Sequence, residues 1–237
     1  MTRPLLLGHR GARASRHIPE NTPASFELCL QHGCDGFEFD VRRSLDSEAV
    51  ICHDAIAGGR SIEKTPAKSL ALPTLEEVLE RFSSRAFLDI ELKVAGLEQK
   101  TIAALRKHSP QIGYLVSSFL PEVVRAVHEL DASIPLGFLC EKRDQLTMRR
   151  GTAAPVALGA ALPDGAPGSP LVLPVTWMIP RVDFVDRALV EEYHGAGKKV
   201  MVWTVNRVAD MQRLADWGAD AIISDETEVL VGRFTDE

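Results

Sequence analysis

The stretch GFEFDVRR, residues 36–43, decides the fold. Side chains alternate faces along an extended strand. Phe37, Phe39 and Val41 therefore share one face, and Glu38 and Asp40 share the other. FLDIELKV, residues 87–94, has the same form, with Leu88, Ile90, Leu92 and Val94 on one face and Asp89, Glu91 and Lys93 on the other. In a barrel of parallel strands wrapped by helices, the apolar faces pack on the helices and the charged faces turn inward. Barrel interiors are normally filled by Val, Ile and Leu. Carboxylates there mark the interior as a place of chemistry.

Working outward, strand-like and helix-like segments alternate along nearly the whole chain. PLLLG precedes NTPASFELCLQHG, where Asn21 is placed to cap a helix and Gly33 to end it. GFEFDVRR and AVICHD are strand-like runs joined by the polar turn SLDSE. PTLEEVLERF follows, with Leu75, Val78, Leu79 and Phe82 on one helical face and Thr74 and Glu77 at capping-box spacing. The pattern continues through GYLVSSF, IPLGFLCE, PLVLPV, KVMVWTVN and DAIISDE, each followed by a helix-like segment, the poorest near DQLTMRR. Residues 141–170, rich in Ala, Gly and Pro, read as a long loop. About eight strand–helix units imply a parallel sheet with crossover helices, closed as a (β/α)8 TIM barrel and forming a single domain over 1–237. A doubly wound open sheet is the alternative. No GxGxxG follows a strand, which removes its usual dinucleotide-binding version.

The bulk properties bound the function. The 237 residues are 45% hydrophobic and 25% charged, ordinary for a globular protein. A net charge of -6 argues against a nucleic-acid partner but allows an anion in a local basic pocket. No apolar run reaches the roughly 18 residues a membrane span needs, and the N-terminal apolar run is too short for a signal peptide. Cys29, Cys34, Cys52 and Cys140 form no CxxC pair, which argues against a zinc knuckle and for free thiols in a reducing compartment. The chain is accordingly expected to be cytoplasmic.

Several inward carboxylates are expensive. At an effective dielectric of about 20, two like charges about 4 Å apart repel by roughly 4 kcal/mol. Either a hard divalent cation takes Glu38, Asp40 and Glu91 as oxygen ligands, or the three pair with Arg10, Arg42 and Lys93 in an internal ion network. His9 in LLLGHRG and His53 in AVICHD each stand where a strand-like run ends, and C-terminal strand ends are where barrels build active sites. Two histidines suit proton transfer near neutral pH. Arg10 offers a planar fork and Lys93 a point charge, both suited to a phosphate. The residues together point to metal-assisted hydrolysis or transfer at a phosphate ester.

The motifs GHRG, PENT, DGFEFDVRRSLDSEAVICHD, LPTLEEVL, LDIELK, VSSF and VMVWTVNRVADMQRLADWGADAIISD occur in that order. The chain resembles the glycerophosphodiester phosphodiesterase family, of the phospholipase-C-like phosphodiesterase barrel superfamily, over almost its whole length, the resemblance being weakest at 141–183. The resemblance implies hydrolysis of a small-molecule glycerophosphodiester to glycerol 3-phosphate and an alcohol, with one divalent cation, Mg or Ca, as cofactor. By position it implies Glu38, Asp40 and Glu91 as metal ligands, His9 and His53 as the acid–base pair, and Arg10 and Lys93 as phosphate contacts. Glu20, in the PENT segment, is expected to orient Arg10 or a histidine. Trp203 is either an apolar wall against the glycerol or a core residue. The segment after His53 is a short insertion compared with many relatives, which implies a more open site. The family's closing TDxP is SDET here, so Asp225 stays and the Pro is lost. Two other readings keep the barrel: a lysophospholipid or sphingolipid phosphodiesterase of the phospholipase-D-like type, and a non-catalytic barrel that binds phosphorylated ligands. Of the other histidines, His17 lies in the loop near the site, and His32, His108, His128 and His194 read as surface or capping groups.

Overall fold

The computed structural model describes residues 3–141 and 173–235. The segments in chain order are β1 (Leu5–His9), α1 (Pro23–Gln31), β2 (Gly36–Arg43), β3 (Ala49–Ile51), β4 (Ile56–Ala57), β5 (Arg60–Ser61), α2 (Leu75–Phe82), β6 (Phe87–Leu92), α3 (Glu98–Lys107), β7 (Tyr114–Ser118), α4 (Pro121–Leu130), β8 (Leu136–Cys140), β9 (Trp177–Pro180), α5 (Arg187–Gly195), β10 (Lys199–Val202), α6 (Val208–Asp216), β11 (Ala221–Ser224) and α7 (Thr227–Thr235). Strands β1, β2, β6, β7, β8, β9, β10 and β11 pair in parallel, and a β1–β2 pairing closes the ring. This is the (β/α)8 barrel expected from the alternation. The excursion between β2 and α2 holds β3 and the small β4–β5 hairpin.

Strand parity sorts the side chains into two layers. Leu6, Phe37, Phe39, Val41, Leu88, Ile90, Leu92, Val116, Phe138, Met178, Val202 and Ile222 share one core with residues of the helices. Phe26 of α1 stacks on Phe37 with ring centroids 4.2 Å apart, and Phe82 of α2 meets Phe37 edge-on at 5.2 Å. Such pairs add about 1 kcal/mol each beyond the area they bury. Residues of the opposite parity, Leu7, Phe87, Leu115, Leu139, Trp177, Ile179, Met201, Ala221 and Ile223, form a second core inside the ring. On β2 and β6 the same inward parity carries Glu38, Asp40, Asp89 and Glu91, all buried.

Three expectations are corrected. AVICHD is not a barrel strand: β3 runs antiparallel to β2, with Val41 opposite Ile51 and Arg43 opposite Ala49. SLDSE is therefore a hairpin turn, which period-two alternation cannot distinguish from the start of a crossover. Asn21 does not cap α1; Thr22 does, its hydroxyl accepting from the Ser25 amide. The strand expected at PLVLPV begins at Trp177 instead, and Leu173 and Val175 are buried without joining the ladder. Pro174 lacks the N–H that a ladder position requires. The Thr74–Glu77 capping box is present. The helix expected near DQLTMRR and most of the 141–170 loop lie outside the described residues. Among the described residues, no helix is long and apolar enough to cross a membrane.

Candidate active site

The GHRG turn that ends β1 is tight. A Cβ at Gly8 would come within 2.5 Å of both Cys29 Sγ and the Gly11 carbonyl oxygen, so only glycine lets the chain fold back over α1. Arg10 follows with φ +54, in the left-handed region. Its side chain thereby stays at the mouth of the barrel, with Nε 3.2 Å from Asp40 Oδ2 and NH1 donating to Glu20 Oε1 at 2.7 Å. Its backbone N–H donates to Glu38 Oε2 at 3.0 Å.

A cavity of about 290 Å³ opens at the C-terminal ends of the strands, lined by His9, Arg10, Glu38, His53, Glu91 and Lys93 on its polar side. Phe119, Leu139, Trp203 and Ile223 line the apolar side, with Glu141 also at the wall. Apart from Arg10 and His53, these residues sit on barrel strands or one or two residues beyond their ends, at the inward parity. Of the residues named from sequence, Asp40 lies just beneath, and Glu20 reaches the cavity through Arg10. His53 reaches it by another route. The β2–β3 hairpin folds the chain back, the Cys52 amide donates to the Asp40 carbonyl, and Arg42 Nε donates to the His53 carbonyl at 2.7 Å. The His53 ring meets Asp54 Oδ1 at 2.8 Å. His17 is exposed and does not line the cavity. His32 is bonded to Thr227 and paired with Glu228, and His194 is paired with Asp220, away from the site.

One oxygen each of Glu38, Asp40 and Glu91 lie within 4.8 Å of one another. The residues are 3%, 1% and 6% exposed. Lys93 Nζ stands 2.7 Å from Glu91 Oε1 and 3.3 Å from Asp40 Oδ1. Burial, then repulsion by Asp40, drives the Glu91 carboxyl up to about 7, and burial with Asp40 and Glu91 raises Glu38 well above the usual range. Burial also opposes the Asp40 charge, but Lys93, Arg10 and a bond from Asn21 hold it below the ordinary value. Among the described residues, buried Glu38 Oε1 has no partner, and buried Asp40 Oδ1 and Glu91 Oε1 have only the Lys93 ammonium. Two nearby cations against three carboxylates leave the cluster under-neutralised, and the oxygen-only donor set suits a hard divalent cation. The residues present therefore fit such an ion.

Four further polar partners, none of them assigned to the site from the sequence, complete it. Asn21, at φ +57, turns both ends of its amide onto Asp40: Nδ2 donates to Oδ2 at 2.8 Å, and Oδ1 accepts from the Asp40 amide at 3.2 Å. Asp225 Oδ1 accepts from His9 Nδ1 at 2.7 Å. Arg13 joins Glu20 Oε2 at 2.6 Å to Asp225 Oδ1 at 3.1 Å. Asn206 Nδ2 donates to Asp225 Oδ2 at 2.7 Å. The one available signal was the Asp of SDET at the end of the last strand-like run; the others are long-range pairings that no local pattern announces.

Fold and site together define an enzyme-like barrel with a carboxylate cluster, two cations and two histidines at its mouth, a constellation suited to a phosphate ester. The model of the Glycerophosphoryl diester phosphodiesterase family matches residues 9–78 and 57–229. The chain is 28% identical over 256 residues to a glycerophosphodiester phosphodiesterase of Caldanaerobacter subterraneus, covering 96% of each. It is also 28% identical to one of Bacillus subtilis, covering 95% of this chain and 85% of that protein. Among solved structures, an Oleispira antarctica phosphodiesterase in complex with the product sn-glycerol-3-phosphate aligns with a TM-score of 0.76 at 27% identity, covering 98% of this chain and 96% of that one. The chain belongs to the glycerophosphodiester phosphodiesterase family and is an enzyme of that activity.

Proposed function

We propose that the chain hydrolyses glycerophosphodiesters to glycerol 3-phosphate and an alcohol with one divalent cation, Mg or Ca, held by Glu38, Asp40 and Glu91. The observation that carries this reading is the set of three buried carboxylates at and just beneath the cavity wall, one oxygen of each within 4.8 Å of the others, with only two cations beside them. When bound, the cation supplies charge neutralisation at the phosphodiester. Arg10 and Lys93 line the same cavity and contact the phosphate oxygens, stabilising the charge that develops on them. Glu20 holds the Arg10 fork in place. Trp203, edge-to-face with Phe119 at 5.3 Å, walls the glycerol side.

His9 and His53 divide the proton transfers. A carboxylate only accepts, so the His9–Asp225 bond puts the proton on Nδ1 and leaves the Nε2 lone pair on the cavity side. Burial also keeps His9 below its usual range, against the pull of Asp225. His9 therefore takes the proton from the attacking hydroxyl, and His53, from the rim, protonates the leaving alkoxide. The four free cysteines accord with a cytoplasmic enzyme, and residues 1–237 act as one domain.

The test compares two glycerophosphodiesters, one with choline and one with p-nitrophenol as the leaving alcohol. A p-nitrophenolate needs no proton to depart. His53→Ala should lose activity on the choline diester and retain it on the nitrophenyl diester, while His9→Ala should lose both. Equal losses on both diesters in the His53 variant would reject this division of roles.

A further inference from the structure

Asp89 sits one layer deeper than the carboxylates already described and takes no part in the chemistry above. It is fully buried at 0% exposure and shares the inward face of β6 with Glu91, two residues away. Across the ladder it is the direct partner of Glu38, as Glu91 is of Asp40. Four carboxylates thus occupy two successive rungs between two adjacent strands, which lie about 4.8 Å apart. Ser117, opposite Glu91 on β7, donates its hydroxyl to Asp89 Oδ1 at 2.6 Å. Among the described residues, Asp89 Oδ2 has neither a hydrogen bond nor an ion pair, and Glu38 Oε1 on the same rung is in the same condition. Among the described residues no lysine or arginine side chain pairs with this rung: Lys93 pairs with Asp40 and Glu91, and Arg10 with Asp40 and Glu20, while Glu38 Oε2 has the His9 ring at 3.9 Å and the Arg10 backbone N–H at 3.0 Å.

A buried carboxyl with an unused oxygen normally costs a few kcal/mol, so its retention needs a reason. A core would fill this place more cheaply with Leu or Ile, as the inward face of other strands does at Leu7, Leu115, Leu139, Ile179 and Ile223. With no partner for its free oxygen among the described residues, Asp89 stands on the same inward face as the Glu38–Asp40–Glu91 cluster. We propose that Asp89 is a fourth carboxylate of the divalent-cation site, acting from outside the three direct ligands to strengthen the hold on the ion. Ser117 positions it by taking up its other oxygen. The inference rests on the cation site proposed above and adds a residue to it. Groups that support a metal from behind its ligands typically change affinity by about 10–100-fold.

The experiment is calorimetric titration of the metal-stripped full chain with CaCl2 and, separately, MgCl2, in the absence of substrate. Asp89→Asn keeps the size and an acceptor for Ser117, and removes only the carboxylate. It should weaken the affinity by about tenfold or more while the metal-stripped variant melts no lower than the parent at pH 8. Ser117→Ala, which keeps the carboxylate but frees its orientation, should weaken affinity in the same direction by a few-fold, and it carries the test should Asp89→Asn not fold. Unchanged affinity in a folded variant would overturn the assignment of Asp89 while leaving the three-ligand site standing. A parent chain that binds neither ion would overturn both.

Discussion

His9 Nδ1 and Asp225 Oδ1 are 2.7 Å apart, although 216 residues separate them in the chain. The closing of the barrel brings them together, since β1 pairs directly with β11 and Gly8 lies opposite Ser224. Asp225 is itself held by Arg13 and Asn206. Burial disfavours its charge, but the bonds from His9, Asn206 and Arg13 keep its carboxyl well below the ordinary range. Asp225 is thus an anionic anchor that fixes the tautomer of His9. Asp225→Ala should lower kcat by about 10²-fold with KM little altered, because the phosphate contacts remain intact. Steady-state kinetics on glycerophosphocholine would check this, and an equal rise in KM would point instead to a collapsed site.

Asn21 is the next lever. Its amide grips Asp40 at both ends from a backbone with φ +57. Asn21→Gly tolerates that backbone angle and deletes only the grip. Its affinity for the divalent cation should fall by about tenfold, measured by titrating the metal-stripped variant. Asn21→Ala should fall further in stability than the Gly variant by about 1 kcal/mol, since alanine pays for the left-handed conformation.

The carboxylate layers predict how stability depends on pH in the metal-free protein. Asp89 and Glu91 are raised to about 7, mainly by burial, and Glu38 moves in the same direction. Between their ordinary values and about 7, the native state holds protons that the unfolded chain has released. Stability from these groups is therefore present in acid and is lost as pH rises through about 7. His9, lowered mainly by burial, works the other way below its ordinary value of 6.5. The melting temperature of the metal-stripped protein should accordingly be lower at pH 7.5 than at pH 6, and divalent cation should restore it at pH 8. A melting temperature that climbs over that interval without metal would contradict the assignment.

The aromatic wall makes a separate prediction. Trp203 donates from Nε1 to the Ile179 carbonyl at 2.9 Å and meets Phe119 edge-on at the cavity. It therefore both packs and lines the site. Phe119→Ala removes the half-buried partner ring and leaves the Trp203 anchor in place. KM for glycerophosphocholine should rise several-fold with kcat changed less, on the scale of about 1 kcal/mol for one aromatic contact.

Much of this was legible in the sequence wherever the signal is a period of two. GFEFDVRR and FLDIELKV announced an inward charged face, and Glu38, Asp40, Glu91 and Lys93 stand there. The strand-end rule placed His9. His53 was located for the wrong reason: AVICHD is a hairpin return on β2, and the histidine arrives by folding back from the strand top. Asn21 reads as a helix cap from sequence because capping chemistry and carboxylate clamping ask for the same short amide. Arg13 and Asn206 were invisible, since each acts through a partner hundreds of residues away or across a strand junction. Asp89 was seen on the charged face but not distinguished from its neighbours, because only depth within the barrel separates them.

The most direct test of the central claim is release of glycerol 3-phosphate from glycerophosphocholine by metal-stripped protein, before and after Mg or Ca is returned, alongside Glu91→Gln. Little release is expected without metal, recovery when either ion is added, and no recovery in the variant. Full release by the stripped protein, or recovery undiminished in Glu91→Gln, would contradict the claim.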